Sequence, residues 1–290
     1  MNTLSGCLLI NKNVGNTSRD EVNIVSKKLM TKKCGHIGTL DPFASGLLIV
    51  LVGRATKISP FLERKDKTYI AQIRLGIKTD SGDKDGNIIE EKEIPGLNKK
   101  DVDDVLKSFL GESYQLPPMY SAIRKNGKHL YEYARKGEEV EREKRLINVY
   151  DIRLLNFDGE NITFLVRASK GTYVRTLGED IAEKLGTVGY LVSLERLSIG
   201  EYSLNNAVKA EEVSEKDLIS IEEMLKDFPS VNLNDNDAKK ALNGVPLIIN
   251  NPNNELLMKD KDGIIAIYHK NHDNVYTCLR GLRWSRLIYH

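Results

Sequence analysis

The sequence predicts an α+β fold with a second, smaller domain. Segments of period-two alternation are interspersed with segments of helical spacing, and several strands follow one another directly without a helix between them. The 290 residues correspond to about two domains at ~100–200 residues each.

Cys7–Ile10 is a short apolar strand, followed by a turn rich in Asn, Lys and Gly. Ser18 and Glu21 stand at capping-box spacing and open a helix with Val22, Val25 and Leu29 on one face. The glycine-rich loop Gly35–Pro42 then leads into the apolar run Leu47–Val52, which has the composition of a buried strand. Tyr69, Ala71, Ile73 and Leu75 alternate along a strand at Thr68–Gly76, and Thr79–Gly86 has turn chemistry. Val102, Val105, Leu106 and Phe109 mark a helix over Asp101–Leu110. Leu116–Arg145, with Pro117-Pro118, aromatic residues and dense charge, suits a surface insertion. Strands follow at Val149–Leu155 and Ile162–Ala168, then a helix at Thr172–Leu185 carrying Val174, Leu177, Ile181 and Leu185.

A boundary is expected at Phe228-Pro229, dividing a larger domain over 1–228 (insertion about 117–145) from a small β-rich domain over 229–290. The latter contains short strands at Leu256–Met258, Ile264–Tyr268 and Val275–Leu279, with a hairpin turn at Lys259–Gly263. No internal repeat is evident.

Hydrophobic residues make up 40% and charged residues 29%, which excludes a disordered chain. The longest apolar run has six residues against the ~20 a bilayer requires, and Met1–Gly6 lacks the basic start and apolar core of a signal peptide. A cytoplasmic protein with no membrane association is expected. Cys7, Cys34 and Cys278 are scattered, and only His269 and His272 form a close pair, so no metal is expected. No phosphate-loop or dinucleotide fingerprint is present, so no cofactor is expected either. The net charge of +2 is unevenly spread. Residues 1–66 hold ten Lys/Arg against five Asp/Glu and residues 118–175 twelve against eight, whereas residues 205–290 hold eleven against thirteen. A local basic face is enough to meet a polyanion.

The run Gly35-His36-Ile37-Gly38-Thr39-Leu40-Asp41-Pro42-Phe43-Ala44-Ser45-Gly46-Leu47-Leu48 resembles the nucleophile motif of the TruB family, the bacterial tRNA pseudouridine-55 synthases. Further phrases follow in the family's order: Lys67-Thr68-Tyr69, Gly76–Gly86, Pro117–Tyr120, Leu130–Gly137, Ser169–Thr176 and Leu194-Glu195-Arg196. The resemblance spans residues 6 to about 200. It implies the pseudouridine-synthase fold, a mixed and mainly antiparallel sheet flanked by helices, with a C-terminal module similar to PUA domains.

The resemblance also implies isomerisation of uridine 55 in the T loop of tRNA without cofactor or metal. Asp41 matches the catalytic carboxylate, which either attacks C1′ of the ribose to form a glycosyl ester or removes a ribose proton to give a glycal. Arg175 matches its partner, expected to lower the Asp41 pKa and fix its orientation. Tyr69 falls on the family's active-site tyrosine, placed to stack on the flipped uracil and assist removal of the C5 proton. Tyr173 and Leu194 fall on pocket-lining positions, and His36 on a histidine that contacts the rearranged loop. Lys12, Arg124, Lys125, Lys128, Arg135 and Arg142 are candidates for an RNA clamp, most of them on the insertion, which is expected to act as a hinged flap that orders on tRNA. The target uridine must be flipped outward, which costs a few kcal/mol, offset by new stacking and phosphate contacts.

Three departures from the family pattern stand out: Asn13 replaces a proline after Lys12 and is expected to loosen that turn, Ile37 replaces a threonine, and Arg124 replaces a lysine. The partner expected is the tRNA T stem-loop, bound by a monomer with no obligate protein partner. Assistance to tRNA folding is compatible as a second role. Competing readings are a non-catalytic RNA-folding chaperone, a guide-dependent synthase of the dyskerin type and a small-molecule enzyme.

Overall fold

A computed structural model describes residues 4–283. Met1–Thr3 of the N-terminal stretch considered for a signal peptide, and residues 284–290 of the expected C-terminal domain, lie outside them. The elements in chain order begin with β1 (Gly6–Lys12), α1 (Ser18–Lys28), β2 (Cys34–Ile37), β3 (Ser45–Val52), α2 (Ser59–Leu62) and β4 (Lys67–Leu75). Next come β5 (Ile77–Thr79), β6 (Ile88–Glu91), α3 (Lys99–Lys107), β7 (Gly111–Gln115), β8 (Arg124–Lys125), β9 (Lys128–His129) and α4 (Leu130–Ala134). The long hairpin β10 (Arg145–Phe157) and β11 (Asn161–Ala168) leads to α5 (Val174–Lys184), β12 (Gly189–Ile199), β13 (Tyr202–Ser203) and α6 (Ile221–Met224). The chain closes with β14 (Ser230–Asn232), α7 (Asp235–Leu242), β15 (Leu247–Ile248), β16 (Glu255–Asp260), β17 (Gly263–Lys270) and β18 (Val275–Gly281).

The main sheet runs β1-β3-β12-β4-β11-β10-β7, with β2 also on β3 and β13 on β12. All its pairings are antiparallel except β12 against β3. The far edge of β3 is shared. Residues 49–52 pair with β2, while Ser45 and Gly46 pair with Glu195 and Arg196 of β12. Between β2 and β3 the chain must leave the sheet and return, and that excursion carries Asp41.

β3 reads as one apolar run because both its faces are covered. Leu47, Ile49 and Leu51 pack with Ile58, Phe61 and residues of the C-terminal sheet, and Leu48, Val50 and Val52 pack with Val22 and Val25 of α1. The second half of the sheet packs Tyr69, Ala71, Ile73, Phe164 and Val166 beneath Val102 and Leu106 of α3 and Val174, Leu177 and Ile181 of α5.

β12, the strand joining the two halves, has no clear period in the sequence. Its buried side chains Leu191, Leu194, Arg196 and Ile199 are spaced three, two and three apart, and two bulges interrupt its pairing with β4. α1 also begins differently from expectation: Thr17 is the N-cap and Asp20 completes the capping box. Ser18 and Glu21 are buried instead, and Glu21 accepts from Asn16 Nδ2 at 3.1 Å. Part of the expected glycine-rich loop is strand β2.

The C-terminal sheet, ordered β14-β16-β17-β18-β15, starts at Ser230 and carries the amphipathic helix α7, which its β-rich composition did not suggest. It shares a hydrophobic cluster with the first half of the chain through Leu257, Ile264, Ile267 and Leu282, and Arg64 pairs with both oxygens of Glu255 at 2.7 and 3.1 Å. Among the described residues no helix is long and apolar enough to cross a membrane.

Candidate active site

The Asp41 excursion is held by side chains from four other elements. Ser18 Oγ donates to the Leu40 carbonyl at 3.0 Å, and the Leu40 N–H donates back to Ser18 Oγ at 2.8 Å. The Gly15 N–H donates to the Pro42 carbonyl at 2.8 Å. Leu40, Phe43 and Ala44 plug the segment into the same cluster as Tyr69, Val174 and Leu194.

Lys12 was expected on an RNA-facing surface, but its side chain is fully buried. Its ammonium donates to the carbonyls of Ala44 at 2.6 Å, Asn13 at 2.9 Å and Pro42 at 3.4 Å. Burial lowers its pKa to about 8, Glu21 and Asp41 opposing that shift. Lys12 therefore ties the Asp41 loop from inside and does not clamp RNA. At the turn after it, Lys209 donates to Asn13 Oδ1 at 2.5 Å and to the Asn11 carbonyl at 3.3 Å.

Arg175, two residues into α5 and 4% exposed, points its fork at three separate loops. Nε lies 3.0 Å from Asp41 Oδ2, Nη1 donates to the Ser81 carbonyl at 2.9 Å and sits 3.5 Å from Asp83 Oδ2, and Nη2 donates to the Tyr120 carbonyl at 2.6 Å. Asp83 is buried and accepts at Oδ1 from Ser81 Oγ at 2.7 Å and from the Asp85 N–H at 3.1 Å. The planar guanidinium can fill all these acceptors where an ammonium could not.

The expectation that Arg175 would leave Asp41 with a lowered pKa does not hold. Withdrawal into the cleft pushes the Asp41 carboxyl above its ordinary range. Arg175 and Lys12 pull it down, and the like charge of Asp83 adds to the rise. The side chain nevertheless remains 37% exposed, so the carboxylate is presented to the cleft as well as to its arginine.

Tyr69 is 9% exposed and lies on β4 opposite Arg196 of β12. Leu194, on the same strand as Arg196, packs in the Tyr69 cluster. Tyr173 caps α5 and exchanges hydrogen bonds with Gln115: its N–H donates to Oε1 at 2.8 Å and its carbonyl accepts from Nε2 at 3.1 Å. Burial raises the Tyr173 phenol pKa, with Arg175 and Asp41 both close enough to influence it. His36 on β2 faces Thr39 Oγ1 at 3.1 Å, and burial together with the Arg196 and Arg19 charges lowers its pKa, so its ring is neutral at pH 7.

The clamp candidates on the insertion divide into two groups. Arg124, Lys128 and Arg135 are exposed, with Arg135 over the Tyr131 ring and Lys128 over that of Tyr133. Arg142 and Lys125 turn inward: Arg142 Nη1 donates to the Pro117 carbonyl at 2.9 Å and Nη2 pairs with Glu139 at 3.0 Å, while Lys125 donates to the Glu141 carbonyl. A cavity of about 240 Å³ opens there, between Pro117, Ile123 and Leu130 on one side and Arg124, Lys125 and Arg145 on the other.

Asp83, Ser18 and Arg196 are site residues that sequence reasoning passed over. Asp83 and Arg196 stand inside phrases that carry the family resemblance, but nothing in their local spacing sets them apart from turn and strand residues. Among the described residues no cluster of His, Cys, Asp and Glu has the makings of a metal site.

Residues 26–174 match a family model described as the N-terminal domain of TruB family pseudouridylate synthases. The chain is 45% identical over 252 residues to tRNA pseudouridine synthase B of Hydrogenovibrio crunogenus, covering 86% of this chain and 83% of that protein. It is likewise 45% identical over 258 residues to the protein of that name from Bacillus subtilis, covering 84% of each. Among solved structures, an archaeal box H/ACA sRNP Nop10–Cbf5 complex contains a chain superposing with a TM-score of 0.72 at 20% identity, over 97% of this chain and 87% of that one. A chain from an H/ACA RNP bound to a substrate RNA containing 2′-deoxyuridine gives 0.71 at 19%, over 96% and 84%. At these identities the structural likeness establishes the pseudouridine-synthase fold and nothing finer.

Proposed function

The chain belongs to the TruB family of pseudouridylate synthases, and we propose that it isomerises uridine 55 in the T loop of tRNA to pseudouridine, with Asp41 acting on the ribose. The observation that carries the assignment of roles is Arg175 Nε at 3.0 Å from Asp41 Oδ2, at the mouth of a loop held on every side.

In the proposed reaction the flipped nucleotide enters beside Asp41. Its carboxylate forms a bond to C1′ as the bond from C1′ to N1 breaks and uracil leaves with the electron pair. Uracil turns, C5 attacks C1′ and the ester bond to Asp41 breaks, releasing the carboxylate. The C5 proton is lost and N1 gains one, so that no outside reactant is needed. Arg175 supplies a donor that keeps the carboxylate aimed in both halves of the cycle. Tyr69, set into the wall beside Leu194, offers a flat ring for the extruded base and a hydroxyl for the C5 proton, and the neutral ring of His36 can take space left by bases that move.

Because Asp41 must be anionic and its pKa is raised, activity is lost as pH falls through a value above the ~3.9 of an ordinary aspartate. The acid limb of kcat/KM is therefore expected above that value. Asp83→Asn removes a like charge and should move the limb to lower pH, as pH profiles of the two proteins would show. A limb unmoved or moved upward contradicts the electrostatic assignment.

Arg124, Lys128 and Arg135 are the exposed cations proposed to meet tRNA phosphates. Replacing all three with alanine should raise KM about 10-fold or more at 150 mM salt with kcat nearly unchanged. It should also reduce the slope of log K against log salt by up to about 3, read by filter binding across a salt series. The expectation of a monomer acting without a protein partner is retained as part of this proposal. Pseudouridine mapping in a T stem-loop transcript treated with the purified protein tests the reaction directly. Absence of pseudouridine at the position equivalent to 55 overturns it.

A further inference from the structure

Arg196 is 1% exposed, and no Asp or Glu among the described residues pairs with it. A buried cation without a counter-ion is costly unless its donors are filled by other groups. Here they are filled by backbone. Nε donates to the Leu47 carbonyl at 2.7 Å and Nη2 to the Gly38 carbonyl at 2.6 Å, and Tyr69 stands opposite Arg196 on the neighbouring strand, close enough to feel the guanidinium charge. Gly38 opens the excursion that carries Asp41 and Leu47 lies just past its far end in β3, while Lys12 holds its middle through Pro42 and Ala44.

The surrounding glycines are shaped to this arrangement. A Cβ on Gly38, at φ +66°, would meet Arg196 Nη1 at 3.1 Å. One on Gly46, at φ +99°, would come within 2.4 Å of the Arg196 carbonyl oxygen and 2.7 Å of its nitrogen. Two of the glycines in the Asp41 phrase thus stand where the chain wraps closely around one arginine.

We infer that Arg196 is a positioning residue for the isomerisation, a single buried guanidinium on the strand beside Tyr69 that staples the Asp41 loop from both sides. This rests on the function proposed above. Arg196 touches neither nucleophile nor substrate. Its effect comes from fixing two reactive groups, carried on β4 and on the β2–β3 excursion, in one rigid frame. Lysine has the charge but not the fork, and can satisfy the two carbonyls only in part. Misplacement of reacting groups by about 1 Å costs on the order of 10²-fold in rate.

The test uses Arg196→Lys in the full chain, with three readouts: kcat and KM on a T stem-loop, Kd for that RNA, and amide hydrogen exchange. The expected result is a fall in kcat of about 10²-fold with Kd within about threefold, and faster exchange at 38–47 while β10, β11 and the C-terminal sheet keep their protection. Unchanged exchange at 38–47, or kcat within threefold of the parent, overturns the inference. So does a loss of activity that merely follows global loss of protection. Should Arg196→Lys fail to fold, Gly38→Ala keeps the arginine and pushes it off one carbonyl, and the same local exchange signature is required of it. If the parent protein itself makes no pseudouridine, the functional proposal fails, while the exchange data still decide whether Arg196 staples the loop.

Discussion

Asp41→Asn is expected to lower the single-turnover rate of pseudouridine formation by at least about 10⁴-fold while leaving stability and RNA affinity close to those of the parent. The size follows from removing a nucleophile whose role no neighbouring group can assume. The retained fold follows from what remains around Arg175. The carbonyls of Ser81 and Tyr120 still accept from it and Asp83 stays 3.5 Å from Nη1, so its buried charge is not left without partners. The asparagine side-chain oxygen can occupy the place of Oδ2, and the ties from Ser18, Gly15 and Lys12 involve only backbone of the loop. Filter binding to a T stem-loop alongside a pseudouridine assay decides the matter. Turnover within 10²-fold of the parent would remove Asp41 from the reaction.

Arg175→Ala should damage both stability and activity. It leaves two carboxylates, Asp41 and Asp83, facing one another without the cation between them, and strands the Ser81 and Tyr120 carbonyls. Breaking a buried pair from one side costs about 3–5 kcal/mol, and the lower end applies because solvent reaches Asp41. Activity should fall by about 10³-fold or more, since the carboxylate loses its orientation and its pKa rises further. Arg175→Lys separates the two effects. The cation restores part of the stability seen in urea denaturation, but a single ammonium cannot hold three loops, so most of the activity stays lost. An alanine variant as stable and as active as the parent would show that the fork holds nothing the site needs.

These expectations depend on features that were unequally visible in the amino-acid order. Strands such as β4 and β11 and helices such as α3 and α5 could be read because apolar side chains repeat at the spacing of the face they bury, and β3 because both its faces are covered and it runs apolar throughout. β12 could not, because its bulges break that spacing, and yet it supplies Arg196 and Leu194 and joins the two halves of the sheet. The helix α1 shows how a local rule can point one residue away from the true cap: Ser18 and Glu21 have the right chemistry, but tertiary contacts draw both inward, and Thr17 with Asp20 closes the box.

The order of residues alone pointed to the family, the chemical type of the reaction and the candidate pair Asp41 and Arg175, because these reside in contiguous phrases that follow one another along the chain. Only the folded chain decided that Lys12 faces inward, that Asp83 stands behind the pair, that burial outweighs Arg175 in the direction of the Asp41 pKa, and that Arg196 bonds the chain on both sides of the loop. The reason is physical. Desolvation and the filling of buried donors depend on which groups meet across 42 residues of chain, as for Asp41 and Asp83, or across the 158 that separate Gly38 from Arg196, and no local spacing encodes such a meeting.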